Sequence, residues 1–185
     1  NDLVIGLPYE LKEGQDPNHI IIYWIKENGE LAIERNGKYN SSTGTVQFKP
    51  NHLSKFTAAY VKAGFTDVTQ GWAKEAIEAL AARNIVKGVG EGQFNPNGQV
   101  TRAEFITMLM NALALTDAGA TSSFNDVKQG SWYYAQVATA QQLGIVIGKL
   151  DGSFGIDDAI TRQDMAVMVY KAIEVMSLKL TTEKV

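Results

Sequence analysis

The spacing of apolar residues changes once along this chain, near residue 62. Before that point apolar positions alternate or run as short blocks. Leu3, Ile5 and Leu7 alternate as far as Pro8, and Ile20 to Ile25 is an apolar, β-branched and aromatic run. Asn28-Gly29 predicts a hairpin turn, because both residues tolerate positive φ. Leu31 and Ile33 alternate again, Gly44 marks another turn, and 45–48 and 56–61 read as further short strands. The pattern predicts a small antiparallel β domain over residues 1–62, one sheet or half a sandwich. So small a sheet has little core, so it is expected to pack on a neighbour or to lack strands upstream of Asn1.

From residue 63 the period is helical. Ala73, Ala76, Ile77, Leu80 and Ala81 form one stripe, and Phe105, Met108, Leu109, Ala112 and Leu113 a second. Met165, Met168, Val169, Ala172 and Ile173 form another, with Gly-rich turns between the helices. The fold class expected is therefore α+β: a small antiparallel β region followed by an all-α tandem.

The helical part is a repeat. Phe65-Thr66-Asp67-Val68 returns as Phe124-Asn125-Asp126-Val127 at a spacing of 59, and Ser131, inserted before Trp132, makes the spacing 60 from Trp72 onward. That register then holds: Ile85-Val86 matches Ile145-Val146, and Gly88 matches Gly148. Gly92-Gln93-Phe94 matches Gly152-Ser153-Phe154, and Thr101-Arg102 matches Thr161-Arg162. Each unit reads as an entry segment Phe-x-Asp-Val, an aromatic-headed helix, a Gly-rich loop and a second helix opening on Thr-Arg. One unit is too small to bury its own apolar face, so neighbours are expected to share a core. The repeats span 63–118 and 119–178, and 179–185 reads as a linker toward a possible third.

These ordered motifs resemble the S-layer homology repeat over about 110 of the 185 residues. The resemblance implies a secreted protein held non-covalently on a bacterial cell envelope, at the cell wall or S-layer. It further implies repeats that bind secondary cell-wall polysaccharide, typically through pyruvylated sugar, and that often come in threes with pseudo-threefold symmetry. The second repeat departs from the pattern: it has Thr161-Arg162-Gln163-Asp164, and Ile156 where the first has Pro96. Its site is expected to be weaker or altered.

Thr101-x-x-Glu104 has the form of a capping box, and Thr161-x-x-Asp164 of a shorter, poorer one. Capping leaves the arginines unexplained. Arg102 and Arg162 fall at the first helical position, where the macrodipole disfavours a cation by about 0.3–1 kcal/mol. An arginine beside free helix N–H groups makes an anion site, and its planar fork matches the carboxylate of a pyruvate ketal. The competing reading pairs each arginine with a structural acid such as Asp67 or Asp126. On the ligand reading Arg102→Ala loses polysaccharide and keeps its helix folded; on the structural reading it loses stability, and binding falls only in proportion to the folded fraction. Trp72 and Trp132 either stack on a sugar ring or fill the core. Gly88 and Gly148 are turn glycines first, and places where a ligand can approach the backbone second.

Composition narrows the chemistry. A net charge of −3 and a pI near 5.4 give no long-range pull toward nucleic acid. No apolar stretch is long enough for membrane insertion. There is no cysteine, and His19 and His52 lie far apart, so disulfides, thiol catalysis and a His-rich metal site are not expected and no cofactor is implied. The acidic loop near Asp151 lacks the spacing of a calcium site. His52-Leu53-Ser54 is similar to the cleavage step of autoproteolytic β domains of the GAIN and ZU5 type, although turn residues explain it more simply. The chain begins at Asn1 without a signal peptide and reads as a piece of something longer. Three functions stand open: an anchoring module that is not an enzyme, a structural lattice piece contacting other protein, or a fragment of an enzyme whose catalytic domain lies upstream.

Overall fold

The computed structural model describes residues 3–50, 52–69 and 71–182. Among them six strands precede four α-helices. The strands are β1 (Ile5–Pro8), β2 (Ile20–Ile25), β3 (Leu31–Glu34), β4 (Lys38–Asn40), β5 (Thr45–Phe48) and β6 (Lys55–Tyr60). The helices are α1 (Lys74–Ala82), α2 (Arg102–Ala112), α3 (Tyr134–Gln142) and α4 (Arg162–Thr182). The chain divides into two compact units, Asn1–Pro96 and Asn97–Val185.

In the first unit the β region forms two antiparallel three-stranded sheets, ordered β1-β5-β4 and β3-β2-β6, rather than one. Strand alternation puts Ile20 and Ile22 of β2 on one face, where they meet Val46 and Phe48 of β5. Ile5, Leu7, Phe56, Ala58 and Tyr60 complete that core. The two sheets thus bury each other's apolar faces, which is how so small a region closes a core. Strand β4 is invisible in the pattern because Lys38-Tyr39-Asn40 carries a single apolar residue. The 26–30 turn also differs from expectation. Gly29 alone takes positive φ, at 83°, while the Asn28 side chain accepts a 3.0 Å hydrogen bond from the Glu30 amide. Asn28 shapes the turn through its carboxamide.

Helix α1 belongs to this unit. Just past its end, the Arg83 guanidinium donates to the carbonyls of Asn18 and Gly37, and the Arg83 carbonyl accepts from Arg35 Nε at 3.2 Å. A rigid, multi-donor fork satisfies main-chain oxygens of the β region, so α1 packs with the sheets. Sequence repetition breaks at 62/63, whereas compactness breaks at 96/97.

The second unit packs α2, α3 and α4 around Ile106, Met110, Val137, Ala140, Ile145, Phe154, Met168 and Ala172. In α2 the fully buried positions are Ala103, Ile106 and Met110, while Phe105 and Leu109 of the predicted stripe only flank the core. The repeat region is not purely helical: isolated β-bridges join Gly90 to Gln93 and Thr101 to Ala159. Residues 179–182, expected as linker, continue α4, which has no glycine or proline to stop it. The rest of that linker, 183–185, lies outside the described residues. Val167, Tyr170 and Ile173 are exposed on α4. At the position equivalent to Tyr170, Met110 of α2 is fully buried.

Candidate ligand-binding site

Each repeat folds its Gly-rich loop over the entry aspartate. Asp67 accepts the amides of Phe94 (2.8 Å) and Asn95 (2.7 Å). Asp126 accepts those of Phe154 (2.7 Å), Gly155 (2.7 Å) and Ile156 (3.2 Å). The entry phenylalanine meets the loop phenylalanine in both, Phe65 with Phe94 at 5.1 Å between centroids and Phe124 with Phe154 at 5.6 Å. Gly88 and Gly148 make this closure possible. A Cβ at Gly88 would strike the Gln93 carbonyl and the Phe65 ring, and one at Gly148 the Phe124 ring and the Ser153 carbonyl. The aspartates and these glycines therefore build the two loops.

Both carboxyls sit below the ordinary carboxylate range. For Asp67 the Phe94 amide is the main cause. For Asp126 burial pushes upward, but the three loop amides together outweigh it. A carboxyl depressed in the native state stabilises the fold above its unfolded pKa, near 4, and loses that contribution as pH falls through its native value. Melting temperature is accordingly expected to drop below about pH 4, with a shallower drop in Asp126→Asn. An identical acid profile in that variant would assign the sensitivity to other carboxyls.

The Thr-Arg motifs behave differently in the two repeats. At the start of α2 the capping box is complete: Thr101 Oγ1 accepts from the Glu104 amide (3.2 Å), and Glu104 Oε2 accepts from the Thr101 amide (2.7 Å). At α4 the Asp164 amide donates to Thr161 Oγ1 at 3.1 Å, but the shorter acid takes the Thr161 hydroxyl (2.9 Å). Arg102 is buried. Its Nε donates to the Phe154 carbonyl (3.0 Å), its Nη1 meets Asp164 Oδ2 (3.0 Å), and its Cζ lies 4.8 Å from the Phe154 ring centroid. Its acid partner is thus Asp164, neither Asp67 nor Asp126, because those two carboxylates are engaged by loop amides. The Arg162 side chain is exposed and makes no hydrogen bond or ion pair among the described residues.

Neither tryptophan fills the core. Each precedes its helix by two residues, and Trp72 is 98% and Trp132 61% exposed. Trp132 meets Tyr133 edge-on at 5.3 Å. The structure joins Arg102 to Phe154 and Asp164, whose roles the motif alignment did not single out, although both lie at repeated positions. His52 packs between Trp24 and Phe56, while the Ser54 hydroxyl donates to the Ile25 carbonyl at 3.5 Å. Among the described residues no base accepts from that hydroxyl.

The family model of the S-layer homology domain matches residues 64–106 and 123–166. Those two segments are S-layer homology repeats. Among relatives, an endo-1,4-beta-xylanase A of Thermoanaerobacterium saccharolyticum is 41% identical over 170 residues, 89% of this chain and 14% of its own length. An amylopullulanase of Thermoanaerobacterium thermosulfurigenes is 34% identical over 174 residues, 94% of this chain and 9% of its own. The S-layer protein sap of Bacillus anthracis is 36% identical over 110 residues, 58% of this chain and 13% of its own. The chain thus spans a small part of each relative. The S-layer homology repeats and the surface-layer relatives place it at the cell surface as an anchoring region. No helix among the described residues is long and apolar enough to cross a membrane.

Proposed function

We propose that the chain attaches a larger exported protein to the bacterial envelope by holding secondary cell-wall polysaccharide, a pyruvylated glycan, without catalysing a reaction. One observation carries this reading: the tryptophan of each repeat stands in solvent at the same register. A large apolar ring exposed twice contributes little to folding, and it offers a flat face for a sugar ring. The first amides of α2 are already taken, by the carbonyls of Asp158 and Ile156 and by Thr101 Oγ1, so it is the Arg102 guanidinium alone that suits a ketal carboxylate. The net charge of −3 disfavours nucleic acid as a partner.

Trp132→Ala is expected to weaken polysaccharide binding about tenfold, with Trp72→Ala similar, while stability moves by no more than about 0.5 kcal/mol. Calorimetric titration with purified polysaccharide, beside a melting curve, checks this. Full affinity in both variants would remove the tryptophans from the site.

A second reading, a lattice piece held by protein contacts, has the exposed α4 face with Val167, Tyr170 and Ile173 in its favour. A third repeat or another chain would cover it. Sedimentation showing a monomer at all concentrations would count against another copy of this chain there.

A further inference from the structure

We propose that Asp164 is a built-in competitor for the acidic ligand of Arg102, so that the second repeat sets how strongly the first repeat's arginine takes a carboxylate. The proposal rests on the reading that Arg102 receives a glycan carboxylate. The guanidinium is occupied on one edge and one face by main chain and ring: the Phe154 carbonyl at Nε and the Phe154 side chain under Cζ. Asp164 occupies a further edge, at Nη1. Of the two side chains Asp164 is the more open, 38% exposed against 11% for Arg102. A carboxylate arriving at that edge from solvent therefore meets another carboxylate already in place. Like charges on one cation repel and compete for the same donor.

Repeat comparison shows where this acid comes from. Glu104 stands at the same register, and its longer arm reaches back to the Thr101 amide and closes its own box. Asp164 is one methylene shorter. Its Oδ2 takes the Thr161 hydroxyl and the Arg102 guanidinium instead. Where Glu104 closes its own box, the shorter Asp164 meets the arginine of the preceding repeat.

The test uses the whole chain with two probes: pyruvylated cell-wall polysaccharide, and the same polysaccharide stripped of its ketals by mild acid. Affinities are measured for wild type, Asp164→Asn and Asp164→Glu, with circular dichroism for fold. In Asp164→Asn the preference for ketal-bearing over stripped glycan is expected to rise about tenfold, since a negative charge beside the binding edge is gone. In Asp164→Glu it is expected to rise about threefold, because the longer acid can return to the Thr161 amide although the charge is kept. Should Asp164→Asn fail to fold, Asp164→Glu carries the test. A folded variant with unchanged or reduced preference overturns the proposal and makes Asp164 a positioning residue for Arg102. If wild type and both variants bind the two glycans equally, Arg102 does not read the ketal, and the competitor falls with it.

Discussion

Asp126→Ala is expected to lower stability by about 3 kcal/mol, the largest effect foreseen for a polar side chain in this chain. Its carboxylate takes three loop amides, at 2.7, 2.7 and 3.2 Å. Alanine leaves three main-chain donors without their charged acceptor, in a stretch where Phe154, Gly155 and Ile156 are all buried. Each such loss costs on the order of 1 kcal/mol or more where water cannot replace the partner. For a unit of this size the melting temperature is expected to fall by about 15 °C. Asp67→Ala is expected to cost less, since it holds two amides, of Phe94 and the exposed Asn95. Thermal melts of the two variants side by side check the order. Equal losses would mean that burial of the loop does not set the cost.

Arg102→Ala is expected to destabilise the second unit by about 2 kcal/mol, and Arg162→Ala by less than about 0.5 kcal/mol. Arg102 loses a charge-assisted bond to a carbonyl, an ion pair and a stacked ring in one substitution. The estimate lies below that for a fully buried pair because Asp164 is partly open, and water can solvate it once the arginine is gone. Arg162 is exposed, with no such partners among the described residues, so its removal costs only packing along the helix. Glycan affinity is measured on the same proteins. An Arg102→Ala chain whose folded fraction binds polysaccharide normally would end the assignment of Arg102 to the ligand site, whatever its melting temperature. Stability unchanged in that variant would instead show that its contacts with Phe154 and Asp164 add little in solution.

Local signals in the chain are legible where one residue type allows one conformation. The complete cap at Thr101 and Glu104 follows from short-range geometry, since both hydrogen bonds lie within one helical turn. Strand β2 follows from a run that suits only a buried strand of that length. The 26–30 turn lies where Asn28-Gly29 puts it, although Asn28 works through its side chain. Strand β4 left no trace, because a three-residue strand with one apolar position has no period. The buried face of α2 is not legible for the opposite reason. Phe105, Ile106, Met108, Leu109 and Met110 make more than half of its circumference apolar, so periodicity does not centre the buried face, and packing against α3 and α4 chose Ala103, Ile106 and Met110.

The sequence by itself determined the repeat, its register and its family, because sixty-residue self-similarity survives in the order of residues whatever the chain does in space. Only the tertiary structure decided what the repeated residues touch. Aspartates that could have paired with arginines hold loop amides, tryptophans that could have filled the core stand in solvent, and the two equivalent arginines have opposite surroundings. The physical reason is distance along the chain. Arg102 meets Phe154 and Asp164 some fifty to sixty positions away, and such a pairing depends on how helices and loops pack rather than on any local preference. The same reason explains why α1, part of the repeat by sequence, packs with the sheets: the carbonyls that Arg83 reaches belong to Asn18 and Gly37, and no pattern around residue 83 points to them.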